Sequence, residues 1–218
     1  MRLRNNPKAN EILENNIEFV VLNTKEYKGK WHQIFHNHHP IYIEIGMGKG
    51  SFIIENARRY PEINFIGIEK FPSVLVSAVK KIEDEDIHLP NLRLMKEDAL
   101  VLNEVFDVHE IQRIYLNFSD PWPKKKHAKR RLTSHTFLPI YKEILDSKGN
   151  LILKTDNRTL FEFSLISFQQ FQMDFIDVCL DLHHSEGYDD NIQTEYEKKF
   201  SPFGPIYRIE TIFKGDMK

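Results

Sequence analysis

The chain has 218 residues, of which 41% are hydrophobic, which is enough for one α/β domain with a good-sized core. Its 30 lysines and arginines face 32 acids, so it is not basic as a whole. A single cysteine, Cys179, excludes an intramolecular disulfide and a cysteine-rich metal site. The charged N-terminus has no apolar run behind it, and no stretch is long enough to cross a bilayer, so we expect a cytoplasmic protein without membrane partners.

From residue 41 onward, short β-rich runs alternate with helical patterns. The predicted strands are 41–45, 64–68, 92–96, 113–118, 151–155, 175–180 and 207–213, and the predicted helices are 51–60, 72–82, 134–145 and 159–171. This alternation indicates βαβ units in an α/β fold: a mostly parallel, seven-stranded sheet with helices on both faces. No helix separates the last two strands, so we expect an antiparallel pair at one edge. Residues 1–40 are predicted to be a peripheral segment, and 41–218 the main domain.

A glycine-rich loop joins the first of these strands to its helix. Gly46, Gly48 and Gly50 permit a tight turn and a close approach of the backbone to a ligand. Glu69 ends the next strand, at a spacing that suits a carboxylate accepting both hydroxyls of a ribose. The third glycine comes one residue too early for the dinucleotide fingerprint. A ligand without phosphates, such as S-adenosylmethionine, is therefore favoured over one with a pyrophosphate.

Two further acids lie near this loop, and each has two explanations. Glu44 is a charged residue inside an apolar strand, where an unpaired carboxylate is costly. A cationic group of a ligand, or a lysine or arginine of the fold, would compensate it. Asp98 follows the third strand, where it either accepts from an adenine amino group or caps a helix beginning at Ala99.

The sequence Ser119-Asp-Pro-Trp-Pro123 is followed at once by the basic run 124–131, which holds six lysines and arginines. Prolines on both sides of Trp122 stop any helix and stiffen the turn. Without these six cations the rest of the chain is net negative, so the positive charge is local and favours one docking face for a polyanion. An acid on a rigid strand end beside such a run indicates chemistry on a nucleic-acid base. A solvated surface run or a localisation signal is the alternative.

Taken together and in order, these motifs closely resemble those of the bacterial tRNA (guanine-N7-)-methyltransferases, over nearly the whole chain. The motifs are Glu44-Ile-Gly-x-Gly-x-Gly, Gly67-Ile-Glu69, Asp98-Ala, Asp120-Pro-Trp-Pro-Lys-Lys with the basic run, Lys154-Thr-Asp156 and Thr194-Glu-Tyr-Glu197. The resemblance implies a Rossmann-like class I methyltransferase fold, S-adenosylmethionine as methyl donor and the variable-loop guanosine at tRNA position 46 as acceptor. Lys126 stands where the family is expected to have arginine, which keeps the charge but loses the planar fork.

The resemblance also implies roles for individual residues. Asp120 is the expected catalytic residue. The expected donor contacts are Glu44, Gly46, Gly48, Gly50, Glu69, Asp98 and Asp120. The expected substrate contacts are Lys124, Asp156, Thr194, Glu195, Tyr196 and Glu197, and the expected RNA contacts are Lys126, His127, Lys129, Arg130 and Arg131. The expected partner is tRNA. No obligatory protein partner is evident, and monomer and homodimer both remain open.

Some of these residues also have plain structural explanations. Asp156 and Glu197 either meet the edge of the guanine or cap helices, and Trp122 either stacks on a base or packs inside its turn. Without the resemblance, residues 194–199 would be interpreted as an exposed helical turn. The histidines between 32 and 39 suggest a metal site, but no acid or cysteine completes one locally, so no metal is predicted.

Three other functions compete with this assignment. A non-catalytic tRNA-binding module would keep the basic run but would not need a glycine loop with Glu69 beyond it. A nicotinamide dehydrogenase requires the third glycine one residue later and has no use for the run 124–131. An amino-group methyltransferase acting on adenine N6 or cytosine N4 uses a Pro-Pro-aromatic turn, and here Trp122 stands between its prolines instead.

Overall fold

The computed structural model describes residues 6–85 and 88–214, and these contain eight strands and eight α-helices. The strands are β1 (Val20–Val21), β2 (Ile41–Ile45), β3 (Asn64–Ile68), β4 (Leu92–Met95), β5 (Ile111–Asn117), β6 (Leu145–Thr155), β7 (Met173–Cys179) and β8 (Tyr207–Phe213). The helices are α1 (Ala9–Glu14), α2 (Trp31–Phe35), α3 (Ser51–Arg59), α4 (Pro72–Asp84), α5 (Leu102–Val105), α6 (Leu138–Ile144), α7 (Arg158–Gln170) and α8 (Glu195–Phe200). Short 3-10 helices span Thr24–Tyr27, Ala99–Val101, Lys125–Arg130 and Ser201–Phe203.

All eight strands form one sheet in the order β1-β4-β3-β2-β5-β6-β8-β7. Neighbours from β1 to β6 are parallel, whereas β8 pairs antiparallel with both β6 and β7. The mostly parallel sheet and the antiparallel pair at one edge are therefore confirmed. Strand order reverses between β2 and β5, and ligands of such sheets bind at the carboxyl ends of the strands flanking that point.

The eighth strand, absent from the prediction of seven, is β1. It pairs with β4 through only two residues, Val20 with Leu94 and Val21 with Met95. A two-residue strand is too short to carry the alternating pattern by which strands are recognised in a sequence.

Side chains alternate between two apolar cores, one on each face of the sheet. Ile43 and Ile66 pack into the core formed with α2, α5, α6 and α7. Phe65 and Leu94 point the other way, into the core formed with α1, α3 and α4. The predicted helices on both faces are thus confirmed, and the buried parallel strands give the site edge a rigid base.

Several apolar side chains of residues 6–40 are also packed into these cores. Leu13 is buried against α4, and Trp31 is completely buried, with its Nε1 donating to the carbonyl of Val105 at 3.1 Å. The Trp31 ring lies 5.3 Å from that of Phe106. The predicted domain boundary after residue 40 remains a prediction, and this shared packing argues against it.

Two predicted boundaries differ from the structure near residue 145. Helix α6 begins at Leu138 rather than at 134, with Pro139 in its first turn, where a missing N–H is tolerated. Strand β6 already begins at Leu145, six residues before the predicted 151, and it runs through Lys148-Gly149-Asn150. The register of β5 against β6 shifts at this point, so the strand continues through a glycine that locally looks like a break.

Candidate functional site

The three predicted glycines lie in one loop at the carboxyl end of β2. Gly46, Gly48 and Gly50 have φ angles of 76°, 61° and 79°, a region that side chains with a Cβ rarely adopt. A Cβ at Gly46 or Gly48 would meet nothing within 4 Å, so the loop backbone is open to a ligand on that side. Gly50 occupies the N-cap position of α3.

Glu69 is held against this loop by backbone donors. Its Oε2 accepts from the Gly48 amide at 3.1 Å and its Oε1 from the Phe71 amide at 3.0 Å. Burial raises the pKa of Glu69, these bonds oppose the rise, and the nearby charge of Asp120 adds to it. The carboxylate is therefore fixed in orientation, in the position predicted for a ribose contact.

Glu44 is almost fully buried and has one oxygen without a partner. Its Oε1 accepts from Asn117 Nδ2 at 2.8 Å, while Glu44 Oε2, Asn117 Oδ1 and Ser119 Oγ make no hydrogen bond among the described residues. Burial raises the pKa of Glu44 to about 8, against the opposing effects of Asn117 and the charge of Lys154. Three buried oxygens at the ends of β2 and β5 thus lack a hydrogen-bond partner, and no ion pair with a lysine or arginine compensates Glu44 in the described part of the chain.

Asp98 caps a helix, which is one of the two roles that the sequence allows for it. Its Oδ1 accepts from the Leu100 amide at 3.0 Å, which caps the 3-10 helix Ala99–Val101, and its Oδ2 accepts from Lys70 Nζ at 2.5 Å. Its predicted contact with the donor remains a prediction.

Sequence reasoning missed two apolar side chains on this edge. Phe71, two residues after Glu69, is 48% exposed, and Leu100, two residues after Asp98, is 49% exposed. In the sequence, each is a large apolar residue two positions after an acid at a strand end. This pattern could have identified them, since a planar ring of a ligand would cover such side chains.

The residues of this edge fit S-adenosylmethionine. The orphaned acceptors around Glu44 suit the donor's α-ammonium group, the fixed carboxylate of Glu69 suits its ribose, and Phe71 with Leu100 suits its adenine. The open glycine backbone between them holds no phosphate-seeking side chain other than Lys49, whose Nζ lies 3.7 Å from Glu195.

Asp120 is exposed on the loop that follows β5, between two residues of unusual backbone conformation. Phe118 has a φ of 51° and Trp122 a φ of 40°. Non-glycine residues in this region cost roughly 1–3 kcal/mol each and persist where the surrounding structure imposes them, often at functional sites. The turn that carries the predicted catalytic acid is therefore a strained one.

Trp122 is packed within its turn. The guanidinium of Arg130 lies 4.8 Å from the centroid of its ring, and the His127 ring meets it edge-on at 5.7 Å. This arrangement agrees with the packed-aromatic explanation of Trp122, since part of the ring surface is already covered.

The basic run forms the 3-10 helix Lys125–Arg130, with Lys124 at its cap position. Four of the predicted substrate and RNA contacts, Lys124, Lys126, Lys129 and Arg130, have exposed side chains, and His127 is half-buried. Arg131 differs from them because it is only 6% exposed. Its Nε donates to the Pro121 carbonyl at 2.9 Å and its Nη2 to the Trp122 carbonyl at 3.0 Å.

Asp156 and Tyr196 come together beside the Asp120 loop. The Tyr196 hydroxyl donates to Asp156 Oδ2 at 2.9 Å, and its ring lies 5.0 Å from the ring of Phe118. Burial and the bond to Asp156 raise the pKa of Tyr196 to about 12. Asn157, not Asp156, caps α7, by accepting from the Leu160 amide at 2.8 Å. The capping explanation of Asp156 is therefore wrong.

Glu197 is fully buried, so the exposed-turn explanation of residues 194–199 is wrong for this residue. It accepts from Lys154 Nζ at 2.6 Å and from Asn191 Nδ2 at 2.6 Å. Thr194 caps α8 by accepting from the Glu197 amide at 2.9 Å. The predicted substrate contacts of Thr194 and Glu197 remain predictions; what the geometry adds is that both hold α8 in place.

Glu195 connects α8 to the glycine loop. Its Oε1 accepts from Ser51 Oγ at 2.7 Å, and its carboxylate is also paired with Lys81 and, at 3.7 Å, with Lys49. These partners lower the pKa of Glu195 despite partial burial. Helix α8, the glycine loop and α3 are therefore joined through one carboxylate.

Within residues 6–85 and 88–214, no group of three or more histidine, cysteine or acidic side chains comes together as a metal site would require. His32 and His38 stack on each other at 4.7 Å. No helix in the same ranges has the length and hydropathy needed to cross a membrane.

A parallel sheet with an inverted strand near one edge, and a glycine loop followed by a strand-end glutamate, define a class I methyltransferase. A family model described as "Putative methyltransferase" matches residues 38–207. The chain is 52% identical over 214 residues to the tRNA (guanine-N(7)-)-methyltransferase of Listeria monocytogenes serovar 1/2a, covering 98% of this chain and 99% of the relative. It is 51% identical over 211 residues to that of Bacillus velezensis, with 96% of each chain covered. The chain belongs to the tRNA (guanine-N7-)-methyltransferase family.

Solved structures support the fold. The 16S rRNA methyltransferase KamB superposes with a TM-score of 0.62 at 11% identity, covering 86% of this chain and 94% of that one. An antibiotic-related methyltransferase gives a TM-score of 0.61 at 17% identity, over 84% and 92% of the two chains. At these identities the likeness concerns the class I methyltransferase fold alone.

Proposed function

We propose that this protein transfers a methyl group from S-adenosylmethionine to N7 of a guanosine in tRNA, and that the acceptor is the variable-loop guanosine at position 46. Membership of the family supports the reaction and the substrate class. The observation that carries the proposal is the place of Asp120. This exposed acid comes three residues after Asn117, which is hydrogen-bonded to Glu44 at 2.8 Å, and it is followed by the exposed cations of the 3-10 helix Lys125–Arg130.

The chemistry of the acceptor limits what the protein must do. Guanine N7 carries a lone pair and no proton, so no general base is needed before attack. S-adenosylmethionine supplies a methyl group on a positively charged sulfur. Transfer of that methyl group to N7 would break the carbon–sulfur bond, leave its electron pair on a neutral sulfur and pass the positive charge to the purine. The protein contributes alignment for in-line displacement and negative charge beside the purine.

Asp120 is the proposed source of that negative charge. We place the guanine between Asp120 and the Asp156–Tyr196 pair, because Tyr196 packs on Phe118, two residues before Asp120. In this position carboxylates accept from the N–H groups of the guanine edge and favour the cationic product. Thr194, Glu195 and Glu197 hold α8, and with it Tyr196, in place beside the guanine. The carboxylates of Glu195 and Glu197 are already paired with lysines.

The donor is proposed to lie along the glycine loop. Glu69 accepts from its ribose, Glu44 with Asn117 accepts from its ammonium group, and Asp98 contacts its adenine while keeping its capping bond. The glycines at 46, 48 and 50 allow the backbone to approach it closely.

The exposed cations are proposed to bind the phosphates of tRNA. Lys124, Lys126, Lys129 and Arg130 follow directly on the Asp120 turn, so a phosphate bound there places the neighbouring nucleotide near the acid. Lys126 is proposed to bind a phosphate as a point charge, and such a contact does not require the planar fork of arginine. The protein is proposed to act in the cytoplasm without an obligatory protein partner, as a monomer or homodimer.

The test is to incubate the protein with S-adenosylmethionine and unmodified tRNA, and to map N7-methylguanosine by chemical strand cleavage. A tRNA with adenosine at position 46 is the matched control. We expect cleavage at the variable-loop guanosine and none in the control. Methylation of another base would overturn the N7 assignment, and tRNA binding without methylation would favour a binding module.

A further inference from the structure

We infer that Arg131 is a positioning residue for the methyl transfer and not an RNA contact. Its buried guanidinium holds the turn 119–123 in the conformation that presents Asp120. The inference rests on the proposed role of Asp120. It reassigns a residue that the sequence placed among the RNA-binding cations.

The environment of Arg131 is an interior one. Its side chain is 6% exposed, and its guanidinium lies 4.4 Å from the ring centroid of Phe163 on α7. No ion pair joins it to an acid among the residues that the structure describes. A cation buried in this way cannot reach a phosphate without leaving its partners, whereas its neighbours Lys129 and Arg130 are exposed.

The turn depends on Arg131 because it has few hydrogen bonds of its own. Proline at 121 and 123 removes two amide donors, and in the described part of the chain no residue from 119 to 123 makes a backbone–backbone hydrogen bond. The bonds from Arg131 to the carbonyls of Pro121 and Trp122, at 2.9 and 3.0 Å, therefore tie down the middle of the turn. Both are charge-assisted and come from one rigid fork, so they fix direction as well as distance.

The same bonds account for the strained backbone at Trp122. Its φ of 40° is maintained only if neighbouring groups impose it. Arg130 and His127 contact the ring of Trp122, and Arg131 binds its carbonyl. Arg131 also ends the basic 3-10 helix, with its amide bonded to the Ala128 carbonyl at 3.1 Å. Arg131 thus links the RNA-docking helix to the catalytic turn.

The test compares two variants of the full chain, Arg131→Lys and Arg131→Ala. The neighbouring Lys129→Ala is the matched control, because it removes an exposed cation. Fluorotryptophan labelling gives two ¹⁹F resonances, one from buried Trp31 and one from Trp122, and the Trp122→Phe variant assigns them. For Arg131→Lys we expect kcat to fall by about 10²-fold, as for a misplaced reacting group. We expect the salt dependence of tRNA binding to stay at the wild-type value and only the Trp122 resonance to shift.

Further measurements distinguish a positioning role of Arg131 from an RNA contact and from a general structural role. Ethylguanidinium should restore part of the kcat of Arg131→Ala and return its Trp122 resonance, whereas ethylammonium should not. Lys129→Ala should lower the salt slope and leave the Trp122 resonance in place. The inference is overturned if Arg131→Lys lowers the salt slope as Lys129→Ala does, or if both tryptophan resonances shift together. If the wild-type protein methylates no tRNA, the proposed function fails, while the Trp122 resonance still decides whether Arg131 sets the turn.

Discussion

The carboxylates of the site differ in burial, and their expected roles differ accordingly. Glu44 and Glu69 are buried at strand ends and already bound on one side by an amide side chain or by backbone amides. Asp120 and Asp156 are exposed on the loops that follow β5 and β6. The buried acids are prearranged for a ligand of fixed shape, and the exposed acids are the ones proposed to meet the base of the tRNA.

Replacing Asp120 should separate binding from turnover. Asp120→Asn and Asp120→Ala remove an acid and no cation, so we expect tRNA affinity to be retained or slightly improved. The single-turnover rate should fall by about 10²–10³-fold, the usual cost of removing one preorganised electrostatic group. Filter binding of tRNA and rapid-quench methylation measure the two quantities. An equal loss of both would count against the assigned role.

Glu44 should make the ligand-free protein less stable as the pH rises. Its pKa is about 8 in the folded protein, above the ordinary value near 4.3 in the unfolded chain. Between these values the folded state holds the proton more tightly. Its contribution to the free energy of unfolding therefore falls by up to about 1.4 kcal/mol per pH unit as the pH rises.

Glu44→Gln is the matched variant, because it removes the titration and keeps the shape. Between pH 5.5 and 7.5, urea denaturation of the wild type should lose roughly 2–3 kcal/mol more than that of Glu44→Gln. Titrating groups that do not interact with Glu44 are common to both proteins and cancel in the difference. The difference therefore reports Glu44 together with its coupling to Lys154 and Glu69. Parallel pH profiles for the two proteins would show that Glu44 is ionised throughout.

At the scale of elements, the basic 3-10 helix and α8 enclose the proposed guanine site from two sides. The helix Lys125–Arg130 presents its lysines to solvent, while α8 is anchored by the buried pair of Lys154 and Glu197, 2.6 Å apart. Breaking such a buried pair costs far more than losing a surface pair, because it leaves one charge buried alone. The basic helix can therefore lose a charge at little cost in folding stability, whereas α8 cannot.

Removing exposed cations from the basic helix should weaken tRNA binding in a salt-dependent way. For Lys126→Ala and Lys129→Ala, each lost phosphate contact should reduce the slope of log K against log salt by roughly 0.7–0.9. Lys148→Ala, an exposed lysine near the opposite end of β6, should leave the slope unchanged. An unchanged slope in all three variants would mean that the helix is merely solvated.

At the scale of the whole molecule, the sheet is covered on both faces by helices that include parts of the first forty residues. Trp31 belongs to the core shared by α5 and α6, and β1 extends the sheet beyond β4. We therefore expect residues 6–40 and the remainder of the chain to unfold as one unit.

Trp31→Ala tests this expectation. Loss of so large a buried side chain should lower the free energy of unfolding by about 3–5 kcal/mol in a single transition. Trp31→Phe, which keeps a ring but loses the bond to Val105, should cost distinctly less. A separate early transition, with the main one unmoved, would instead support an independent N-terminal segment. Urea denaturation followed by far-ultraviolet circular dichroism distinguishes these outcomes.

The parts of this fold that could be predicted from the sequence are those set by local pattern. Strands 41–45 and 64–68 coincide with β2 and β3, and the glycine loop lies between β2 and α3, as the strand and helix patterns on either side of it predict. Arg131 was grouped with its exposed neighbours because a run of cations has no local feature that marks one of them as buried. Asn117 was missed as the partner of Glu44 because their contact joins residues 73 positions apart. Long-range partners of polar groups leave no periodic trace in a sequence.

The two left-handed residues beside Asp120 have a consequence for engineering. Glycine would adopt the φ of Phe118 or Trp122 without steric cost, yet the chain keeps aromatic side chains at both. Their rings contact Tyr196 and Arg130, elements of the two sides of the site. A search for stabilising variants guided by backbone strain alone would place glycine there and detach the turn from both sides. These positions therefore belong on the list of residues to hold constant in any stabilised variant.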